Sequence, residues 1–130
     1  MIGAVGVSGA SSADEDQELA VPGSQAPSLH NAATCIQRQR VHEQFRTGGL
    51  LLQTPNYKLD AGCRTGPGAV ELHDRETDIM HVVHGTATVV TGQDKHLLNE
   101  GDVLVIPNGV PHQFVDVTAP FFYLVTKVQS

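Results

Sequence analysis

Glu71 and His73 stand two residues apart, and His112 lies far along the chain behind a turn built from Pro107, Asn108 and Gly109. In extended backbone, residues two apart point to the same face. Glu71 and His73 can therefore act together, with Leu72 turned away. A carboxylate beside an imidazole suits two kinds of chemistry. It can ligate a divalent transition ion, or it can pass protons near neutral pH. Asp78 and His84 share a parity in the apolar-rich run that follows. Asp78 is a candidate ligand, and Glu71 and His84 are candidate catalytic groups. His81 is expected to point outward, and His30, His42 and His96 to lie on the surface. Asp74, Arg75 and Glu76 read as a solvated loop between strands.

These residues need a frame to hold them. Ser28 to Thr47 contains no Gly or Pro, and Val41 and Phe45 are four apart. A short helix ending near Arg46 is predicted there, stopped by Gly48 and Gly49. Beyond it the chain reads as strands. The runs are Leu50–Leu52, Tyr57–Ala61, Ala69–His73, Ile79–Val83, Thr86–Thr91, Val103–Ile106, His112–Val117 and Phe121–Val128. Gly, Pro and Asn signals separate them at short intervals. Many short strands after one helix point to an all-β sandwich or barrel.

Composition narrows the function classes. A chain of 130 residues supports one core. The formal net charge is -6, and the first basic residue is Arg38. Asp14, Glu15, Asp16 and Glu18 make the N-terminal stretch acidic. Residues 1–27, rich in Gly, Ser and Ala, are expected to be a flexible acidic tail, and residues 28–130 the folded domain. No basic stripe exists to neutralise phosphates, so nucleic-acid binding is not expected. No apolar run approaches the roughly 20 residues of a membrane span. Met1 to Ala10 lacks the basic start of a secretory signal. Cys35 and Cys63 form no zinc or disulfide pattern and read as free thiols. A cytoplasmic protein is expected.

The stretch from Gly101 to Asp116 resembles the second motif of the cupin family. That motif runs Gly, five residues, Pro, one, Gly, two, His, three, Asn. Gly101, Pro107, Gly109 and His112 keep every spacing, and Asp116 replaces the final Asn. The first cupin motif is recognisable in altered form. Asp78 stands seven residues before Gly85, the family's Glu-to-Gly spacing, and His73 matches its second His. Glu71 replaces the first His and Asp78 the Glu. Gly66 or Gly68 opens the segment, neither at the usual spacing. With the lead-in from Arg46 to Arg64, the resemblance covers about two-thirds of the chain.

The resemblance implies an all-β double-stranded β-helix, a jelly-roll barrel with a short N-terminal helix, and a homodimer. It implies a metal site inside the barrel, holding Fe, Mn, Ni or Zn. His73, His112, Asp78 and Glu71 would converge there, two imidazoles and two carboxylates. Cupins include isomerases, cyclases, lyases, dioxygenases and binding proteins, and fold alone does not choose among them. Acid–base chemistry on a carbonyl substrate (cyclisation, isomerisation or dehydration) is the leading expectation, because two carboxylates can supply a base. Non-haem iron oxygen chemistry follows, then ligand binding without turnover. The aliphatic composition suits an apolar pocket and an aromatic or polyketide-like small molecule.

Overall fold

The computed structural model describes residues 32–130. The expected tail over residues 1–27, His30 and the start of the predicted helix region lie outside the described residues. The chain divides into two units between Thr54 and Pro55.

In the first unit, helix α1 spans Arg38–Phe45 and strand β1 spans Gly49–Gln53. The helix stops where expected. Gly48 takes a positive φ of 79°, the left-handed conformation that ends helices with least strain in glycine. Its N–H donates to the Gln44 carbonyl at 2.8 Å, and the Gln44 side-chain amide donates back to the Gly48 carbonyl at 2.8 Å. Phe45 on the helix and Leu51 on the strand are buried.

The second unit contains seven strands: β2 (Tyr57–Arg64), β3 (Glu76–His84), β4 (Ala87–Thr91), β5 (Asp94–Leu98), β6 (Val103–Ile106), β7 (His112–Val117) and β8 (Phe121–Gln129). β2, β8, β3 and β6 lie side by side in that order in one sheet, and β5, β4 and β7 form the other. All their pairings are antiparallel. This is the all-β architecture expected from the turn signals, in the jelly-roll form that the cupin resemblance implies. The predicted strand over Ala69–His73 is a correction. Glu71 makes only an isolated bridge to His112, because Pro67 and the flanking glycines leave too short a run to form a ladder. β5 was not foreseen, since Asp94, Lys95 and His96 carry no strand signature.

Alternation explains the core. Met80 and Val82 on β3, Phe121 on β8 and Ile106 on β6 turn inward from one sheet. Ala87, Val89, Leu98 and Phe114 turn inward from the other. A fully buried side chain of this size stabilises the fold by roughly 1.5–3 kcal/mol. Phe114, Phe121 and Tyr123 form a ring cluster with centroids 5.4–5.8 Å apart. On that same inward face Asp78 and His112 are the buried polar residues. The core thus grades into a polar cluster.

Candidate metal centre

Two short pieces of backbone bring the cluster together. The Glu71 N–H donates to the His112 carbonyl at 2.8 Å, and the His112 N–H donates to the Glu71 carbonyl at 2.9 Å. Gly109 then clamps the neighbouring residue, its N–H donating to the His73 carbonyl at 2.7 Å. Gly109 has a φ of 82°, which favours glycine. The Asn108 amide adds a bond to the Asp74 carbonyl at 3.1 Å. The turn before His112 is therefore what holds the segment carrying His73.

The side chains gather accordingly. His73 Nε2 lies 3.4 Å from Glu71 Oε1 and 3.7 Å from Asp78 Oδ2. His112 Nε2 lies 3.7 Å from Glu71 Oε1 and 3.6 Å from Asp78 Oδ2. The two imidazole centroids are 5.2 Å apart. Glu71, His73 and His112 form one group able to hold an ion, and His73, Glu76 and Asp78 form another. Ligand bonds of about 2.1 Å give tetrahedral ligand–ligand edges of about 3.4 Å. The observed spacings fit that figure closely.

Protonation favours the same reading. His112 Nδ1 lies 3.0 Å from the Val110 carbonyl, a contact only an N–H can satisfy. With Nδ1 donating there, Nε2 is the ring atom left to face the cluster. His73 Nε2 is buried and has no hydrogen-bond partner. Leaving a buried polar atom unsatisfied costs about 1–3 kcal/mol. A bound cation would satisfy that nitrogen, so the residues present fit a divalent metal.

Two neighbours support the cluster, and sequence reasoning missed both. Lys127 Nζ lies 3.3 and 3.2 Å from the two oxygens of Asp78. The pairing follows from register, since Asp78 and Lys127 are opposite each other on β3 and β8. Glu76 belongs to β3 rather than to a solvated loop, and its Oε1 is 3.9 Å from His73 Nδ1. Its shared parity with Asp78 was the available signal.

His84 does not join the cluster. A bulge between Val82 and His84 inserts an extra residue on β3 and sets His84 opposite Phe122. That reverses its face. Its side chain is 55% exposed, 3.5 Å from Glu100, and its ring lies 5.7 Å from Phe122. His81 and His42 are exposed as expected, whereas His96 is half-buried and bonds Thr91 at 2.8 Å.

Comparison with known proteins places the site in context. The family described as cupin domain matches residues 57–126, more than half of the chain. KdgF from Halomonas sp. is 22% identical, with a TM-score of 0.58, covering 64% of this chain and 79% of that one. A cupin-2 domain containing protein from Shewanella frigidimarina is 17% identical, with a TM-score of 0.61, covering 72% and 93%. The DMSP lyase DddQ from Ruegeria pomeroyi is 19% identical, with a TM-score of 0.54, covering 63% and 46%. At these identities the likeness is one of fold. No protein of curated function matches the sequence. Among the described residues, no helix is long and apolar enough to cross a membrane.

Proposed function

The chain belongs to the cupin family, and from that premise we propose that it is a metal-dependent enzyme performing acid–base chemistry on a small carbonyl compound. The observation that carries this reading is the buried His73 Nε2, which makes no hydrogen bond and faces the same Asp78 oxygen as His112 Nε2. In this reading His73, His112 and Asp78 hold the ion, Asp78 Oδ2 lying 3.7 and 3.6 Å from the two Nε2 atoms, and Glu71, which groups with both histidines, stays free to move protons. The Asp78 side chain is 5% exposed and pairs with Lys127, whose Nζ lies 3.2 Å from the same Oδ2 that faces the two imidazoles. A divalent ion held there supplies Lewis acidity that polarises the substrate carbonyl.

Glu71 is the proton carrier in this reading. Its side chain is 51% exposed while its carboxylate reaches both Nε2 atoms. It can take a proton from the carbon beside the carbonyl and return it to a neighbouring position or to solvent. Such general-base action contributes about 10²–10⁴ in rate. Lys127 balances the charge of Asp78, and the apolar wall of Met80 and Phe114 limits water.

Isomerisation, cyclisation and dehydration all begin with that proton transfer. Two His with one carboxylate also match the ligand set of non-haem iron oxygenases, which makes oxygen chemistry the second reading. The free thiols Cys35 and Cys63 support a cytoplasmic location. Exposed Ile79, Val103 and Val105, on the outer face of one sheet, support a homodimer.

Proton NMR in deuterated buffer tests the function. Metal-loaded protein with 2-oxobutyrate is expected to exchange the protons beside the carbonyl. Glu71→Gln should keep its metal and lose at least a hundredfold of that exchange. Oxygen uptake without exchange would favour the iron reading instead.

A further inference from the structure

Arg64 ends β2 and faces the same interior as the metal cluster. Its Cζ sits 4.9 Å from the centroid of the Phe114 ring. Phe114 and His112 are both buried on β7, two residues and about 7 Å apart. The guanidinium also donates a hydrogen bond to the Tyr123 phenol, whose ring lies 5.4 Å from that of Phe114. Arg64, Tyr123 and the His pair therefore border one region.

The position of Arg64 is built by the chain around it. A Cβ on Gly68 would collide with the guanidinium, and one on Gly62 would collide with the Tyr123 ring. The two glycines leave the volume those side chains occupy. Arg64 Nε donates to the Gly66 carbonyl at 3.4 Å, which steadies the near edge of the fork. Gly68 is tied to β7 in turn. Its N–H donates to the Phe114 carbonyl at 3.0 Å, and Gln113 donates to its carbonyl at 2.9 Å.

Among the described residues no carboxylate pairs with Arg64. A half-buried guanidinium is a costly group to leave without an anion, and its planar fork matches a carboxylate.

We propose that Arg64 anchors the carboxylate of the substrate, so that the site takes small carbonyl acids with the carbonyl toward His73 and His112. This rests on the reading of the cluster as a small-molecule centre. Phe114 stacks the guanidinium in place, and Tyr123 offers a hydroxyl beside it. Specificity for an acid over its neutral analogue comes from this one side chain.

Calorimetric titration of the zinc-loaded full chain tests the assignment. The probes are 2-oxobutyrate, its neutral amide 2-oxobutyramide, and inorganic phosphate. The acid is expected to bind at least tenfold more tightly than the amide or phosphate. Arg64→Gln should bring the acid down to the affinity of the amide, with zinc content and amide binding unchanged. Arg64→Lys should restore the preference only in part. Equal binding of acid and amide to the wild type, or no binding of the acid, overturns the assignment. So does equal loss of acid and amide in Arg64→Gln, the mark of a purely structural strut, or phosphate binding as tightly as the acid. Zinc stoichiometry on the same samples checks the metal reading separately. The acid–amide comparison on zinc-free protein isolates the anchor should that reading fail.

Discussion

Glu71 and His112 exchange backbone hydrogen bonds of 2.8 and 2.9 Å in both directions, although they stand 41 positions apart in the chain. This single reciprocal bridge substitutes for a strand. It fixes the segment carrying His73 against β7, and the Gly109 clamp finishes the task. The cluster is thus set by backbone geometry.

Gly109 should therefore be sensitive to substitution. Gly109→Ala places a side chain at a φ of 82°, a conformation that costs an L-residue about 1–2 kcal/mol. A lower midpoint in urea unfolding is expected, together with weaker metal affinity, because the bond to the His73 carbonyl is strained. Unchanged affinity alongside reduced stability would detach the turn from the site.

Lys127 should matter more than an ordinary surface lysine. In metal-free protein, removing it leaves the buried Asp78 without its ammonium counter-charge. Breaking such a pair typically costs about 3–5 kcal/mol, and Lys127→Met is expected to lose about 3 kcal/mol in denaturant titration. Adding Asp78→Asn should recover much of the loss, since no charge is then stranded. Additive losses in this double-mutant cycle would show that the two residues are not coupled.

Asp60 gives a pH signature. Burial pushes its carboxyl above the ordinary value of 3.8, outweighing the nearby charges of Lys58 and Lys127. A raised folded pKa favours the folded state below the unfolded value. That advantage is lost as pH rises through the folded value. Asp60→Asn does not titrate. Its melting temperature should exceed that of the wild type at neutral pH, and the two should converge as pH falls to the ordinary carboxylate range. Parallel melting curves across that range would contradict the burial argument.

Much of the fold could be read from residue types. Val103–Ile106 and His112–Val117 are strands with the boundaries expected, because Pro107 and Pro111 punctuate them. Gly109 and His112 carry a spacing that only a tight turn satisfies. Other features leave no local trace. The Lys127–Asp78 pair spans 49 positions and exists only through the register of β3 on β8. The bulge that turns His84 outward adds one residue to one strand, and Gly85 just after it reads in the sequence only as the end of that strand. Glu76 was hidden by its neighbours Asp74 and Arg75, whose charges suggest a loop. Arg64 stands beside the glycines that open the first motif, yet no motif position marks it, and only the folded β2 sets it over Phe114.

The central claim is that His73 and His112 share one ion. Metal analysis of protein purified without chelator, for wild type, His73→Ala and His112→Ala, tests it most directly, with circular dichroism to confirm folding. About one transition ion per chain is expected in the wild type, and little in either folded variant. Full metal content in both variants would contradict the account.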